Sequence, residues 1–200
     1  MVTNTMIQKT ITLIMASLTL SGVAPAVVVF QDDFSTNTLG ANYVTTGVSY
    51  NSTPETVTIS RGPGNNLQIA NPLTLDSYGA TELTISFDYA FGASMFGSEF
   101  TLQYNDGAGT GWQTLDVINR TATGENDSGL ATNPYTITID EGATYAFTNT
   151  ALVRLIDIDN TGSKGYNIDN FTLEVDAVPE PAAAMLGAIG GLLLLRRRRT

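Results

Sequence analysis

Carboxylates are the most abundant chemically active side chains in this 200-residue sequence. The chain has 19 Asp and Glu residues but no His and no Cys. A Ser-His-Asp triad, a Cys-His pair and a His-ligated zinc site are therefore excluded, because each needs one of the missing residues. A glycosidase with a carboxylate pair stays open, since it needs only two acids at the right separation. Glu82, Glu99 and Glu174 stand singly in the sequence, so we expect no catalytic residues and no enzyme.

Acidic residues could also bind a hard cation. Residues 157–162 read Asp-Ile-Asp-Asn-Thr-Gly and partly match a calcium loop of the Asp-x-Asp-x-Asn-Gly type. Asp157 and Asp159 would supply ligands, but Ile168 stands at the twelfth position, where such a loop has Glu. The segment therefore predicts either a weak calcium site or a plain boundary between a strand and a turn.

A single tryptophan is the candidate for contact with a sugar. Trp112 follows Gly109-Thr110-Gly111 and begins a predicted strand, where an exposed ring could stack on a sugar face. The alternative is a ring half-buried at the edge of a sandwich, as is common for a lone Trp. The sequence shows no wider aromatic platform.

Short β-strands must position these side chains, because apolar and polar residues alternate with a period of two through the middle of the chain. Turn residues such as Asn105-Asp106-Gly107 separate the strands, and no segment has helical apolar spacing. Each strand has one apolar face, so two sheets must pack together. The sequence predicts an all-β antiparallel β-sandwich, one domain over residues 27–177. Its ten predicted strands are residues 27–34, 43–50, 56–60, 67–69, 83–91, 100–104, 112–118, 135–139, 152–158 and 168–175.

The beginning of the chain predicts export. Lys9 precedes an apolar run over residues 11–23, and Ala24-Pro25-Ala26 supplies small residues for cleavage. We predict a signal peptide over residues 1–26, cut after Ala26. A retained signal anchor is disfavoured, because the run is short and no stop-transfer pattern follows it.

The end of the chain combines Pro-Glu-Pro, an apolar segment and a basic block. The apolar segment, residues 182–195, is a predicted transmembrane helix of about 21 Å, short against about 30 Å of bilayer hydrocarbon. The prolines form a stiff boundary before the helix, and the arginines hold its end in the cytoplasm. The residues that carry the pattern are Pro179, Glu180, Pro181, Arg196, Arg197, Arg198 and Arg199.

This tail resembles the PEP-CTERM sorting signal of Gram-negative bacteria, over residues 178–200. The resemblance implies transient membrane insertion and recognition by an exosortase, a transpeptidase that cuts near Pro-Glu-Pro and releases the domain. It also implies a location in the cell envelope, on the cell surface or in the extracellular matrix. The alternative is an ordinary C-terminal anchor, which would use the same arginines for the same electrostatic reason.

Two motifs resemble the jelly-roll domains of concanavalin-like proteins and carbohydrate-binding modules. Residues 30–34 read Phe-Gln-Asp-Asp-Phe, and residues 168–173 read Ile-Asp-Asn-Phe-Thr-Leu. In those families the first and last strands lie side by side, which implies that Asp32, Asp33 and Asp169 meet. They could then bind Ca²⁺ and join the sheet ends of a chain without disulfides. The alternative is that they are solvated charges that protect a sheet edge.

The charge of the domain limits its partners. Without Lys9, Glu180 and the four terminal arginines, 4 basic and 18 acidic residues remain, a net charge of about −14. Nucleic acid is excluded as a partner and anionic lipid is repelled. We expect an exported surface or matrix protein with a structural or adhesive role associated with exopolysaccharide. The alternatives are a calcium-dependent carbohydrate-binding module and a carboxylate-pair glycosidase.

Overall fold

The computed structural model describes residues 26–91, 99–119, 134–158 and 165–176. These ranges form eleven strands in two antiparallel sheets, so the predicted β-sandwich is confirmed. Within them, no helix is both long and apolar enough to cross a bilayer. The elements are β1 (Ala26–Asp32), α1 (Leu39–Asn42), β2 (Tyr43–Thr46), β3 (Val48–Ser52), β4 (Glu55–Ile59), β5 (Asn66–Ile69), a 3₁₀ turn (Leu75–Tyr78), β6 (Glu82–Phe91), β7 (Glu99–Asn105), β8 (Gln113–Asn119), β9 (Pro134–Asp140), β10 (Leu152–Asp157) and β11 (Tyr166–Asp176).

The six-stranded sheet is built around the last strand. Its order is β3-β4-β11-β6-β9. β4 pairs with the first half of β11, and β1 pairs with the second half on the same side. Ala26 lies opposite Asp176 and Asp32 lies opposite Phe171, so the expected pairing of the first and last strands is confirmed. β11 therefore has neighbours on both sides, β6 on one and β4 followed by β1 on the other. The five-stranded sheet has the order β2-β5-β10-β7-β8.

The carboxylate of Asp176 ties the end of β11 to the start of β6. Its Oδ1 accepts hydrogen bonds from the backbone N–H groups of Thr81 (2.8 Å) and Glu82 (2.5 Å), and its Oδ2 accepts one from the Thr81 hydroxyl. Burial alone would raise the pKa of Asp176, but these hydrogen bonds outweigh burial and lower it. The two central strands are thereby joined at this end by a side chain as well as by their ladder.

The prediction of one strand over residues 43–50 is wrong. Gly47 divides it into β2 and β3, and the two strands belong to different sheets. The backbone of Gly47 has φ +63°, and a Cβ there would lie 2.2 Å from the side chain of Asn65. Glycine is therefore required both by the conformation and by the close approach of Asn65.

Aromatic rings fill the space between the two sheets. Phe87 stacks on Tyr135 with ring centroids 4.8 Å apart and on Phe171 at 5.9 Å. Phe100, from the opposite sheet, lies 4.8 Å from Tyr166. Such pairs contribute about 0.5–1.5 kcal/mol each beyond the burial of their area. The fold therefore holds together by its core, in a sequence without cysteine.

Candidate functional site

A row of side chains crosses the outer face of the five-stranded sheet. Val153 and Leu155 of β10 are buried in the core, so Arg154 between them points to the opposite face. The strand register places one residue of each other strand in line with Arg154. We name this row, together with Trp112, the Trp112 strip: Val44 of β2, Gln68 of β5, Arg154 of β10, Gln103 of β7 and Thr114 of β8.

Contacts between the members hold the strip in place. The guanidinium carbon of Arg154 lies 3.9 Å from the centroid of the Trp112 ring. Its Nε donates a hydrogen bond to Gln103 Oε1 at 2.8 Å, and Gln103 Nε2 donates one to Thr114 Oγ1 at 3.3 Å. Partial burial lowers the pKa of Arg154, which still stays charged at neutral pH. A cation over an indole ring is worth about 0.5–2 kcal/mol, so ring and guanidinium are fixed together.

The chemistry of the strip suits a polyhydroxylated ligand. An indole face stacks on apolar sugar C–H groups, while amides and a guanidinium bond to hydroxyl or carboxylate oxygens. Trp112 is neither fully exposed nor fully buried, and so it can offer part of its ring to a ligand. Sequence reasoning found Trp112 but missed Arg154, Gln103 and Gln68. The available signal was the alternation in β10, which predicts that an arginine between two aliphatic residues points outwards.

The neighbouring row on this face is also free of acidic residues. It consists of Thr46, Asn66, Ile156, Thr101 and Val117. Neither this row nor the Trp112 strip contains Asp or Glu, in a domain with a large excess of acids. Arg154 is therefore the charged side chain of these two rows.

A polar cavity of about 390 Å³ lies beside the end of β1. It is lined by Gln31, Asp32, Asp33, Thr38 and Asn42. Asp32 is buried, and both of its carboxylate oxygens accept hydrogen bonds. Oδ1 accepts one from the backbone N–H of residue 34 at 2.9 Å. Oδ2 accepts one from Thr38 Oγ1 at 2.6 Å and one from Asn42 Nδ2 at 3.1 Å. Asp33 is exposed, and its pKa is lowered by the backbone N–H of residue 35. The loop after β1 is thus folded around Asp32.

Asp169 lies in an acidic neighbourhood on the six-stranded sheet. It stands opposite Asp88 across the β11–β6 ladder, next to an irregularity that contains Asn170 with φ +50°. The Asn170 backbone N–H donates to Asp169 Oδ1 at 2.8 Å, and its Nδ2 donates to Asp88 Oδ2 at 2.8 Å. Burial raises the pKa of Asp169, and the negative charges of Asp88, Asp33 and Glu55 raise it further. Asp33 and Asp169 are therefore close enough to repel each other.

Calcium binding at Asp32, Asp33 and Asp169 stays a prediction. Asp33 and Asp169 offer the oxygen ligands that Ca²⁺ prefers, whereas Asp32 would first have to release its protein hydrogen bonds. Within the described ranges, no group of three or more acidic side chains is arranged to hold a metal ion.

The second calcium candidate has one described member. Asp157 is fully buried; its Oδ2 accepts from the Gly62 N–H at 2.8 Å and its Oδ1 from the Tyr166 hydroxyl at 3.0 Å. The first bond ties the loop after β4 to β10, and the second ties β11 of the six-stranded sheet to β10. Asp159 lies outside the described residues, as do the signal peptide up to residue 25, the predicted transmembrane helix 182–195 and the sorting residues between Pro179 and Arg199.

No family model and no curated protein matches the sequence. Among solved structures, the CBM36-1 domain of a multidomain xylanase from the hindgut metagenome of Trinervitermes trinervoides is 10% identical with a TM-score of 0.44, over 78% of this chain and 99% of its own. The K2 cleaved adhesin domain of Lys-gingipain is 15% identical with a TM-score of 0.48, over 73% and 98%. The mannan-recognising module TmCBM27 is 13% identical with a TM-score of 0.42, over 76% and 99%. At these identities and scores the likeness concerns the fold and says nothing about a ligand.

Proposed function

We propose that this chain is an exported, non-catalytic protein that binds polysaccharide, in an adhesive or structural role, on the Trp112 strip. The observation that carries the proposal is the indole ring of Trp112 fixed against Arg154, with Gln103 and Gln68 in register beside it. An aromatic face with convergent amide and guanidinium groups is the usual composition of a sugar site. The role matches the exopolysaccharide association expected from the sequence.

The length of the strip favours a chain over a single sugar. Five strands spaced about 4.8 Å apart give a row of about 19 Å, which can contact several consecutive sugar residues. We therefore expect oligosaccharides to bind more tightly than the monosaccharides of the same type.

A carboxylate-pair glycosidase is the rival function. Asp88 and Asp169 face each other, and the pKa of Asp169 is raised, which is the electrostatic difference that such an enzyme needs. The pair lies on the six-stranded sheet, however, and the Trp112 strip lies on the other sheet. We propose that the pair is not catalytic, and expect no release of reducing ends from any glycan that the protein binds.

Glycan binding by the purified full-length protein tests the proposal. On a glycan array, Trp112→Ala should weaken binding about tenfold or more, because truncating an aromatic residue at the centre of a binding site costs about 2 kcal/mol or more. Thr138→Ala, on the outer face of the six-stranded sheet, is the matched control and should bind like the wild type. Failure of the wild type to bind any glycan, or an equal loss in both folded variants, would overturn the proposal.

We also propose that residues 178–200 sort the protein through an exosortase-type enzyme in the Gram-negative envelope. The support is the order of Pro-Glu-Pro, apolar segment and arginine block in the sequence. Replacing Arg196, Arg197, Arg198 and Arg199 with Ser should leave uncut precursor in the membrane fraction, as judged by Western blots. Release of a product of unchanged size from the variant would show that the tail is not a sorting signal.

A further inference from the structure

We infer that the polysaccharide held by the Trp112 strip is acidic, and that a sugar carboxylate of the uronic-acid type binds Arg154. This inference rests on the proposed function and adds the chemical class of its ligand.

Arg154 is a partly buried cation without an anionic partner in the part of the chain that the structure describes. Its Nε bonds to the neutral amide of Gln103, and its two terminal amino groups make no hydrogen bond to a described residue. Burial is the cause that lowers its pKa; a nearby carboxylate would raise it instead. Partly desolvated charges in proteins are normally paired, because an uncompensated charge away from water is costly. A ligand carboxylate would supply the missing charge.

The geometry of the guanidinium also fits a carboxylate. Arginine presents its donors in a rigid plane that matches the two oxygens of a carboxylate. Gln103 occupies the Nε donor, and the Trp112 ring lies against one face of the plane. The edge formed by the two terminal amino groups can then receive both oxygens of one carboxylate. The arginine is already oriented, so little side-chain entropy is lost on binding.

The negative charge of the domain opposes an acidic ligand, but few acids stand on the strip's own sheet, where Glu99 begins β7, Asp116 lies in β8 and Asp157 ends β10. Asp88, Asp169 and Glu174 are on the six-stranded sheet, and the two rows around Arg154 contain neither Asp nor Glu. At physiological ionic strength the Debye length is about 8 Å. Charges on the far side of the sandwich are therefore screened at the strip. A ligand carboxylate there interacts mainly with Arg154.

The test compares acidic polysaccharides with their neutral derivatives. Binding of the full-length protein to polygalacturonate, alginate and hyaluronate is measured by calorimetry, beside carboxyl-reduced forms of the same polymers. We expect at least one acidic polymer to bind about tenfold or more tightly than its reduced form. Arg154→Gln should remove that preference, and Arg154→Lys, which keeps the charge but loses the planar fork, should keep only part of it.

Arg61→Gln is the matched control, because it removes the same positive charge from the loop after β4. It should retain the preference, and an equal loss in both Gln variants would show that only net charge matters and would overturn the inference. Equal binding of acidic and reduced polymers, or binding of neutral glycans alone, would also overturn it while leaving the proposed function intact. Absence of binding to every acidic and neutral glycan would instead defeat the proposed function.

Discussion

The outer faces of the two sheets carry different chemistry, although the strands of both alternate in the same way. On the six-stranded sheet, Thr172, Ser86 and Thr136 lie in one row, and the hydroxyls of Thr84 and Thr138 are 2.9 Å apart in the next. Thr84 and Thr138 thus bond to each other. On the five-stranded sheet, the Trp112 strip presents large planar groups with donors left for a ligand. The inward pattern builds the core on both sides, so the outward residues must distinguish the two faces.

Charge separates the two faces further. Asp88, Asp169 and Glu174 lie on the six-stranded sheet, whereas the one charged side chain in the two rows around Trp112 is Arg154. An acidic exterior keeps the protein soluble and discourages self-association, but it repels an acidic ligand. One face thus suits solvation, and the other suits binding.

Reversal of the Arg154 charge, compared with a new acid on the other face, should give the largest difference. Arg154→Glu should weaken binding of the preferred acidic polysaccharide about 30-fold or more, since breaking a close charge pair costs about 2–5 kcal/mol. Thr84→Glu places a new acid on the six-stranded face and should change the affinity by about twofold at most. Calorimetric titration measures both. Comparable losses in the two variants would mean that the faces do not differ in function.

Calcium should act on the acidic side of the molecule. If Asp33 and Asp169 bind Ca²⁺ in the folded state, calcium at about 100 times its Kd adds about 2.7 kcal/mol of stability. The thermal midpoint should then rise by about 5–11 °C. Asp169→Ala should abolish most of this rise, whereas Asp140→Ala, at the end of β9, should keep it. Equal midpoints in calcium and in chelator for the wild type would leave these aspartates as solvated edge charges.

Removal of a single hydrogen-bond partner from each face is a finer comparison. Gln103→Ala takes away the acceptor that orients Arg154, and should weaken binding of the acidic polysaccharide about three- to tenfold. The matched change on the other face is Thr138→Ala, which removes the partner of Thr84. Its affinity should stay that of the wild type. A larger loss in Thr138→Ala than in Gln103→Ala would contradict the assignment of the binding face.

The smallest expected effect is a change in how stability depends on pH. The pKa of Asp169 is raised in the folded protein, so the unfolded chain loses this proton first and ionisation favours unfolding. The protein should lose some stability as the pH rises from the ordinary aspartate pKa through the folded value. In chelator, Asp169→Asn should therefore raise the melting temperature at pH 7 by about 1–3 °C, taking a discounted gain below about 1 kcal/mol. It should leave the melting temperature near pH 3 unchanged, and a decrease at pH 7 would show that the carboxylate is favourable in the native state.

The sequence predicted the sandwich because the core pattern is local. Alternation over residues 83–91 and 168–175 marks buried and exposed positions without knowledge of any partner strand, and both segments are strands of the six-stranded sheet. The switch at Gly47 was missed because the alternation continues through it, although a glycine inside a strand pattern is a local sign of a bend. The resemblance to jelly rolls supplied the pairing of β1 with β11.

The Trp112 strip was harder to predict because it depends on register. Trp112 and Arg154 are 42 positions apart in the sequence, and they meet only because β7 lies between β8 and β10. The environments of the two adjacent aspartates at the end of β1 were equally hard to predict from the sequence. Asp32 and Asp33 are adjacent in the sequence, yet Asp32 is bonded into the loop after β1 while Asp33 is exposed near Asp169. Neighbours in the chain can therefore have different environments at the end of a strand.

The position of β11 has a mechanical consequence. If a load is applied to the chain beyond Asp176 while the five-stranded sheet holds a polymer, the domain is stretched along β11. That strand has ladders on both sides, so the tension loads many hydrogen bonds in shear at once. A pull on Ala26, which lies opposite Asp176, would instead load the ladder between β1 and β11 alone. The domain should thus withstand much greater force through its last strand than through its first.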